Sequence, residues 1–209
     1  MISLYIDTSS NFLYSGIVKD DSLICQIKQS FKKDMSTFAL SEIAKMIKKS
    51  GLKPSDVDKI IVCNGPGSFT GIRIGVTIAK TYAWSLNKEI TTITSLEAMA
   101  LSCNFNGFKV PIIDARRGYV YGAIFDYVNN QVMEGQHIKL DTLKVACENF
   151  GDNYKFITND SILVDSESYE PNILKIVKYS ESKELVNPHG VNPIYLKKTE
   201  AEENKNIEC

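Results

Sequence analysis

CNGPGSFTGIRIG, residues 63–75, is a glycine-rich turn between two contrasting neighbours. Before it, IIVC at 60–63 is an unbroken apolar run of the kind a buried strand shows. After it, GIRIGVTIAKTYAWSL at 71–86 has helical length and carries only two charges, Arg73 and Lys80. A strand–turn–helix junction aims a helix N-terminus at whatever lies in front, which favours anions. The glycines nevertheless miss both phosphate motifs. A Walker A loop needs Gly-Lys-Ser/Thr five residues after its first glycine, and Thr70 and Ile72 stand at those places. A GxGxxG fingerprint starting at Gly65 needs glycine at 70, and the third glycine is Gly71. Two readings of Gly65, Gly67 and Ser68 stay open: a direct phosphate contact, or a turn that sets a helix against something else.

The helix after the turn is apolar nearly all round, as a helix buried on most sides is. Gly71, Gly75, Ala79 and Ala83 recur every four residues, a ridge of small side chains that lets another helix approach along the i±4 rows. Glycine within a helix costs about 1 kcal/mol relative to alanine, so Gly75 needs a packing reason. MSTFALSEIAKMIKKS at 35–50, stopped by Gly51, repeats the theme. Its apolar positions, among them Met35, Phe38, Ala39, Leu40, Ile43 and Ile47, cover roughly 240° of arc, far wider than a one-sided surface stripe. Both helices either lie between layers of this protein or dock on a second one. The docking candidates are Met35, Ala39, Ile43, Ile47, Gly71, Gly75, Ala79 and Ala83, and a bulky residue at Gly75 or Ala79 is expected to break that pairing.

Further outward, ISLYID at 2–7 and FLYSGIV at 12–18 flank the turn signal TSSN and read as a β-hairpin, with a third strand at 23–28. VPIID at 110–114 pairs with VYGAIFDY at 120–127. Ile6-Asp7 is followed seven residues after the aspartate by Tyr14-Ser15-Gly16-Ile17, and Ile113-Asp114 at the same spacing by Tyr121-Gly122-Ala123-Ile124. The echo suggests an α/β unit duplicated across two subdomains, 1–106 and 107–196. Thr94 and Glu97 have capping-box spacing before a helix at 95–103. Helices near 141–150 and 171–180 and a strand near 154–158 complete the second half. The charged run 197–209 reads as a frayed tail.

The bulk properties exclude several function classes. With 24 basic against 25 acidic residues, net charge −1, there is no global field to hold nucleic acid. Five cysteines without a CxxC pair fit reduced thiols of a cytoplasmic protein. The N-terminus lacks the basic leader and apolar core of a signal peptide, and no run reaches the ~20 apolar residues that span a bilayer. Two histidines, His137 and His189, have no ligand neighbours at close spacing, so no metal site is expected.

YIDTSS at 5–10, GPGSFTGIRIG at 65–75, TSLEAMA at 94–100, IDARRGYVY at 113–121 and, more weakly, NPIYLKK at 192–198 together resemble the TsaB (YeaZ) family. The resemblance implies an α/β fold of the actin-like ATPase superfamily, that of Hsp70 and sugar kinases, built of two duplicated subdomains. It implies a non-catalytic subunit that binds and activates TsaD for N6-threonylcarbamoylation of adenosine 37 in tRNAs reading ANN codons. It implies that the first two long helices pair with TsaD or self-associate, that TsaE docks on the pair, and that tRNA binds only within the complex. No cofactor belongs to the chain itself; ATP or ADP is expected at the TsaD junction or on TsaE. A His-Ser-Glu segment frequent in the family before the first long helix is replaced here by KKDMST at 32–37.

Two competing expectations remain. A free-standing ATPase or kinase would use Asp7 and Asp114 at the hairpin turns, with Gly65, Gly67 and Ser68 near the nucleotide, but the first turn has no glycine and the second only a late one, Gly118. Direct RNA contact would fall to Arg116 and Arg117, or to Lys32, Lys33, Lys45, Lys48 and Lys49 around the first long helix; a solvated helix face explains the lysines as well.

Overall fold

The computed structural model describes residues 1–31 and 34–197. Lys32, Lys33 and the charged tail from residue 198 onward lie outside the described residues. The chain runs β1 (Ile2–Asp7), β2 (Phe12–Lys19), β3 (Ser22–Ser30), α1 (Met35–Lys49), β4 (Lys59–Cys63), α2 (Phe69–Leu86), β5 (Glu89–Ile93), α3 (Ser95–Ser102), β6 (Phe108–Asp114), β7 (Tyr119–Phe125), β8 (Gln131–Lys139), α4 (Leu140–Glu148), β9 (Tyr154–Ile157), β10 (Ser166–Glu167) and α5 (Ile173–Ser180).

Two five-stranded sheets form, in the orders β3-β2-β1-β4-β5 and β8-β7-β6-β9-β10. In each, the first three strands are antiparallel and the last two join in parallel. Repeating one strand order twice is the architecture of the actin-like ATPase superfamily. In the first sheet, strand alternation sends Leu4 and Ile6 to one face and Tyr5 to the other. Leu4, Ile6, Ile60 and Val62 meet α1 and α2, while Tyr5, Ile61 and Ile93 meet α3 and α5. In the second sheet, Val110, Ile112 and Ile124 bury Leu143 and Cys147 of α4.

The helices cross between the halves. α3 lies between the sheets, giving Ala98 and Leu101 to the first and Leu96, Met99 and Ala100 to the second. Its residues from Ser95 to Leu101 are all buried. That environment makes Glu97 expensive unless paired, and it is paired. Its carboxylate accepts from the Thr94 amide (2.8 Å) and hydroxyl (2.9 Å), as the capping box anticipates, and from Lys183 Nζ. α5, late in the chain, returns to the first sheet with Ile173, Ile176 and Val177. A division at 106/107 separates the sheets in sequence, and the packing crosses it both ways.

The hairpin echo needs correction. Gly16 lies opposite Tyr5, and Gly122 opposite Ile112, in each case two residues before the aspartate. Yet the second turn is one residue shorter: Asp7 pairs with Tyr14, whereas Asp114 pairs with Val120. Asp7 shares a strand face with Tyr5 against α5, and Asp114 shares one with Ile112 against α4. The two aspartates therefore leave their sheets on different sides. The duplication is real at the level of strand order, and the matched letters are not its equivalent positions. No described helix is long and apolar enough to cross a membrane.

Candidate functional site

The turns of both hairpins converge on a cleft of about 420 Å³ between the sheets. Its walls are Ser9–Phe12 from the first hairpin, Gly67 and Ser68 from the glycine-rich turn, Ile112–Arg116 and Tyr121 from the second hairpin, and Thr158–Asp160 after β9. Tyr169 and Met99 also line it. Of the residues expected near a nucleotide, Gly67 and Ser68 are on the wall, and Asp7 and Gly65 are not. Arg116 is on the wall, whereas Arg117 is exposed outside it.

Asp7 is 2% exposed and its carboxylate is already engaged. One oxygen accepts from the Tyr5 hydroxyl (3.0 Å), the other from the Ser9 amide (2.8 Å). Burial first, and the Asp7 charge second, hold the Tyr5 and Tyr169 hydroxyls and the Cys63 thiol well above their ordinary pKa values. All three stay protonated, so the Tyr5 hydroxyl remains a donor to Asp7. Asp114 is likewise tied within its turn: its carboxylate accepts from the Arg116 amide (2.8 Å), and its own amide donates to Asp160 (2.7 Å). Asp7 is thus buried away from the cleft, whereas Asp114 is exposed on its wall.

The glycine-rich turn is equally occupied by its own chain. The Ser68 amide donates to the Ser9 carbonyl at 2.7 Å, and the Ser68 hydroxyl caps α2 by accepting from the Gly71 amide at 3.2 Å. Gly67 has φ +152°, and a methyl on it would collide with the Ser9 carbonyl. A methyl on Gly65 would lie 2.9 Å from the Ile194 carbonyl. The 192–195 segment closes the other side: the Ile194 amide donates to the Asn64 carbonyl (2.8 Å), and Tyr195 stacks on Phe69 at 4.3 Å. Arg73 donates to the Tyr195 hydroxyl at 2.8 Å and lies over the Phe69 ring. Glycine is required here because chain segments approach from both sides. Of the two readings of the turn, packing describes this geometry: it sets α2 against the first hairpin and the 192–195 segment.

The small-residue ridge of α2 faces inward. Methyl groups on Gly71 and Gly75 would overlap the Thr8 carbonyl and the Thr8 hydroxyl, both well under the 3.0 Å that Cβ atoms respect. Thr8 itself donates to the Gly71 carbonyl at 2.7 Å. The ridge thus admits the β1–β2 turn, a contact no helical periodicity could reveal. All eight docking candidates, Met35, Ala39, Ile43, Ile47, Gly71, Gly75, Ala79 and Ala83, are buried in this chain's own core. As a partner-facing set they are corrected: the first sheet has consumed them.

What the sheet leaves uncovered is the remainder of each arc. On α1, Leu40 (57% exposed) and Ala44 lie on one flank of the buried stripe and Phe38 (44%) on the other. On α2, Trp84 is 65% exposed, Phe69 is exposed, and Ile74 and Ile78 are half-buried. Phe38 and Leu40 were visible in the sequence as part of the over-wide arc, and what that reading lacked was which part of the arc the sheet takes. Lys45 pairs with Glu42 along α1 at 2.7 Å, and Lys48 and Lys49 stand exposed in its last turn. Among the described residues, no group of three or more His, Cys, Asp or Glu side chains could hold a metal.

Comparison with known proteins agrees with this architecture. Residues 31–155 match the family model described as TsaD: tRNA N6-adenosine threonylcarbamoyltransferase. The tRNA threonylcarbamoyladenosine biosynthesis protein TsaB of Bacillus subtilis is 34% identical, over 97% of this chain and 96% of its own length. The protein of the same name from Buchnera aphidicola (Acyrthosiphon pisum) is 25% identical over 85% of this chain and 81% of its own. The fold matches a crystal structure of a Pseudomonas aeruginosa protein described as similar to peptidase YEAZ, with TM-score 0.82, 17% identity and coverage of 94% of this chain and 99% of that one. With a full-length relative above 30% identity and the same doubled strand order, the chain belongs to the TsaB family, within the wider group that the TsaD family model describes.

Proposed function

We propose that this chain works in tRNA threonylcarbamoyladenosine biosynthesis as a non-catalytic subunit that docks on TsaD through the outward faces of α1 and α2. The observation that carries the reading is the set of large apolar side chains, Leu40 on α1 and Trp84 on α2 foremost, left exposed after the same helices have covered the first sheet. Burying such side chains contributes about 1.5–3 kcal/mol each, enough for a few of them to anchor an interface. TsaE joins the assembled pair, and ATP or ADP sits at the TsaD junction or on TsaE. In support of the last point, the amides of Ser9, Ser68 and Arg116 around the chain's own cleft are already satisfied internally.

Light scattering of this chain alone and mixed with its cognate TsaD tests the proposal. A heteromeric species should form with the wild type and be lost with Leu40→Glu and Trp84→Glu, whose exposure lets both variants fold. Unchanged association of the two variants would refute this docking face. The ATPase reading retains one favourable observation, the cleft where the two hairpins meet. It is checked in the same samples: ATP turnover by the chain alone, abolished by Asp7→Ala, would replace the scaffold with an enzyme.

A further inference from the structure

At the opposite end of β6 from the cleft, a groove of about 500 Å³ is lined by three lysines, Lys109, Lys175 and Lys178, and by no carboxylate. Lys109 comes from β6, and Lys175 and Lys178 from α5, so the groove exists only because α5 crosses back between the halves. Asn104, Asn106 and Asn129 line it as well.

Lys109 is the unusual member. It is only 4% exposed, and its ammonium donates at 2.7 Å to the side-chain oxygen of Asn129. Lys175 is held the same way, donating at 2.7 Å to Asn104 Oδ1. A buried ammonium is ordinarily matched with a carboxylate because desolvating an unpaired charge is costly. Amide oxygens orient both ammoniums without cancelling their charge. The carboxylates in the neighbourhood are otherwise engaged: Asp126 accepts from the Val128 and Asn130 amides and the Asn130 side chain, and Glu167 from the Cys103 thiol. Burial first lowers the Lys109 pKa, and the Lys175 charge adds to it, against smaller raising contributions from Cys103 and Asp126. An incoming anion would relieve both lowering effects.

We propose that this groove binds phosphate groups, with Lys109 at its floor and Lys175 and Lys178 at its rim. A run of Lys donors beside amide NH2 groups suits tetrahedral oxyanions bearing more than one negative charge, and the groove's open shape suits a phosphate chain. The phosphates come from an RNA backbone or from a free nucleotide or polyphosphate. The proposal goes beyond the docking reading and stands without it, because the chain is tested alone.

The probes are inorganic tripolyphosphate, ATP and unmodified tRNA, added to the full chain while amide shifts are followed by NMR at low salt. Shifts should concentrate on residues 104–106, 129, 175 and 178, and should vanish in the double variant Lys175→Gln/Lys178→Gln. If tRNA is the source, the same double variant should lower the slope of log affinity against log salt by about 2, one for each phosphate contact removed. A response to ATP or tripolyphosphate without one to tRNA assigns the groove to free nucleotides or polyphosphate and supports the site equally. Lys109→Met separates a ligand role from a structural one. It should abolish the response while leaving Tm unchanged or raised, since an unneutralised buried charge is removed. No localised shift with any probe, or shifts that survive in the double variant, would overturn the proposal.

Discussion

Gly75→Ala is the substitution on which helix propensity and tertiary packing disagree most directly. In the interior of a helix this change ordinarily stabilises by about 1 kcal/mol. Here the new methyl would overlap Thr8 Oγ1, far inside van der Waals contact, while the next side-chain atom of Thr8, its Cβ, is 3.7 Å away. Either the methyl is tolerated under strain, at about 1–3 kcal/mol for overpacking, or Thr8 turns away and breaks its 2.7 Å bond to the Gly71 carbonyl. Thr8 is fully buried, so a stranded hydroxyl also costs about 1–3 kcal/mol. Net destabilisation should therefore be about 0–2 kcal/mol, against the gain that propensity alone would give. In a Thr8→Ala background the obstacle is gone, and Gly75→Ala should become stabilising by about 1 kcal/mol. The coupling energy is then about 1–3 kcal/mol, above the scatter of independent sites. Urea unfolding of the four proteins of this cycle measures it. A coupling under about 0.5 kcal/mol, or equal destabilisation in both backgrounds, would refute the packing account of Gly75. Gly71→Ala supplies the contrast, because its methyl would meet the Thr8 main-chain oxygen, which no side-chain change removes. It should destabilise equally with Thr or Ala at position 8. By the same geometry, a bulky residue at Gly75 would report on this chain's own packing and not on docking.

Other consequences are open to simple measurements. Glu97→Ala should cost about 3 kcal/mol, because it strips the cap from α3 and leaves Lys183 without its buried partner; Glu97→Gln, which keeps an acceptor for the Thr94 amide, should cost less, and thermal melts compare the two. Burial pushes the Cys147 thiol up to about 11 from its ordinary value of 9.0. A group whose pKa is raised on folding binds its proton more tightly in the folded state, so its contribution is complete below pH 9 and is lost as pH rises toward 11. The alkaline fall in stability should therefore shrink in Cys147→Ala relative to that variant's own stability at neutral pH. Cys63, buried beside Asp7 with its thiol held protonated, should resist alkylation in the native chain, while half-exposed Cys25 reacts; rapid labelling of Cys63 without unfolding would contradict the burial described here.

Much of the element list was legible in the sequence because it rests on local chemistry. Gly51, at φ +72° just past α1, ends that helix where its position suggests, and α1 begins at Met35. The Thr94–Glu97 capping box opens α3 at Ser95. Three strands escaped that reading. EITTI of β5 was overshadowed by the capping signal that follows it. β8 carries the polar stretch EGQH, alternating between exposed and half-buried positions. β10 is two residues long and exists only by pairing with β9.

The sequence by itself determined the class of fold and the family, since short motifs spread from residue 5 to 198 need only be read in order. It also determined that α1 and α2 carry more apolar arc than one sheet can cover, since periodicity follows from 100° per residue. Only the tertiary structure decided how that arc is divided. Helical spacing says which residues share a face, but which face meets the sheet depends on a partner remote in sequence. Thr8 claims Gly71 and Gly75, Ile194 closes over Gly65, and α5 crosses to bring Lys175 and Lys178 beside Lys109. Each is a contact between segments more than fifty residues apart, fixed by steric fit and hydrogen bonding in three dimensions, and none leaves a periodic trace in either segment alone.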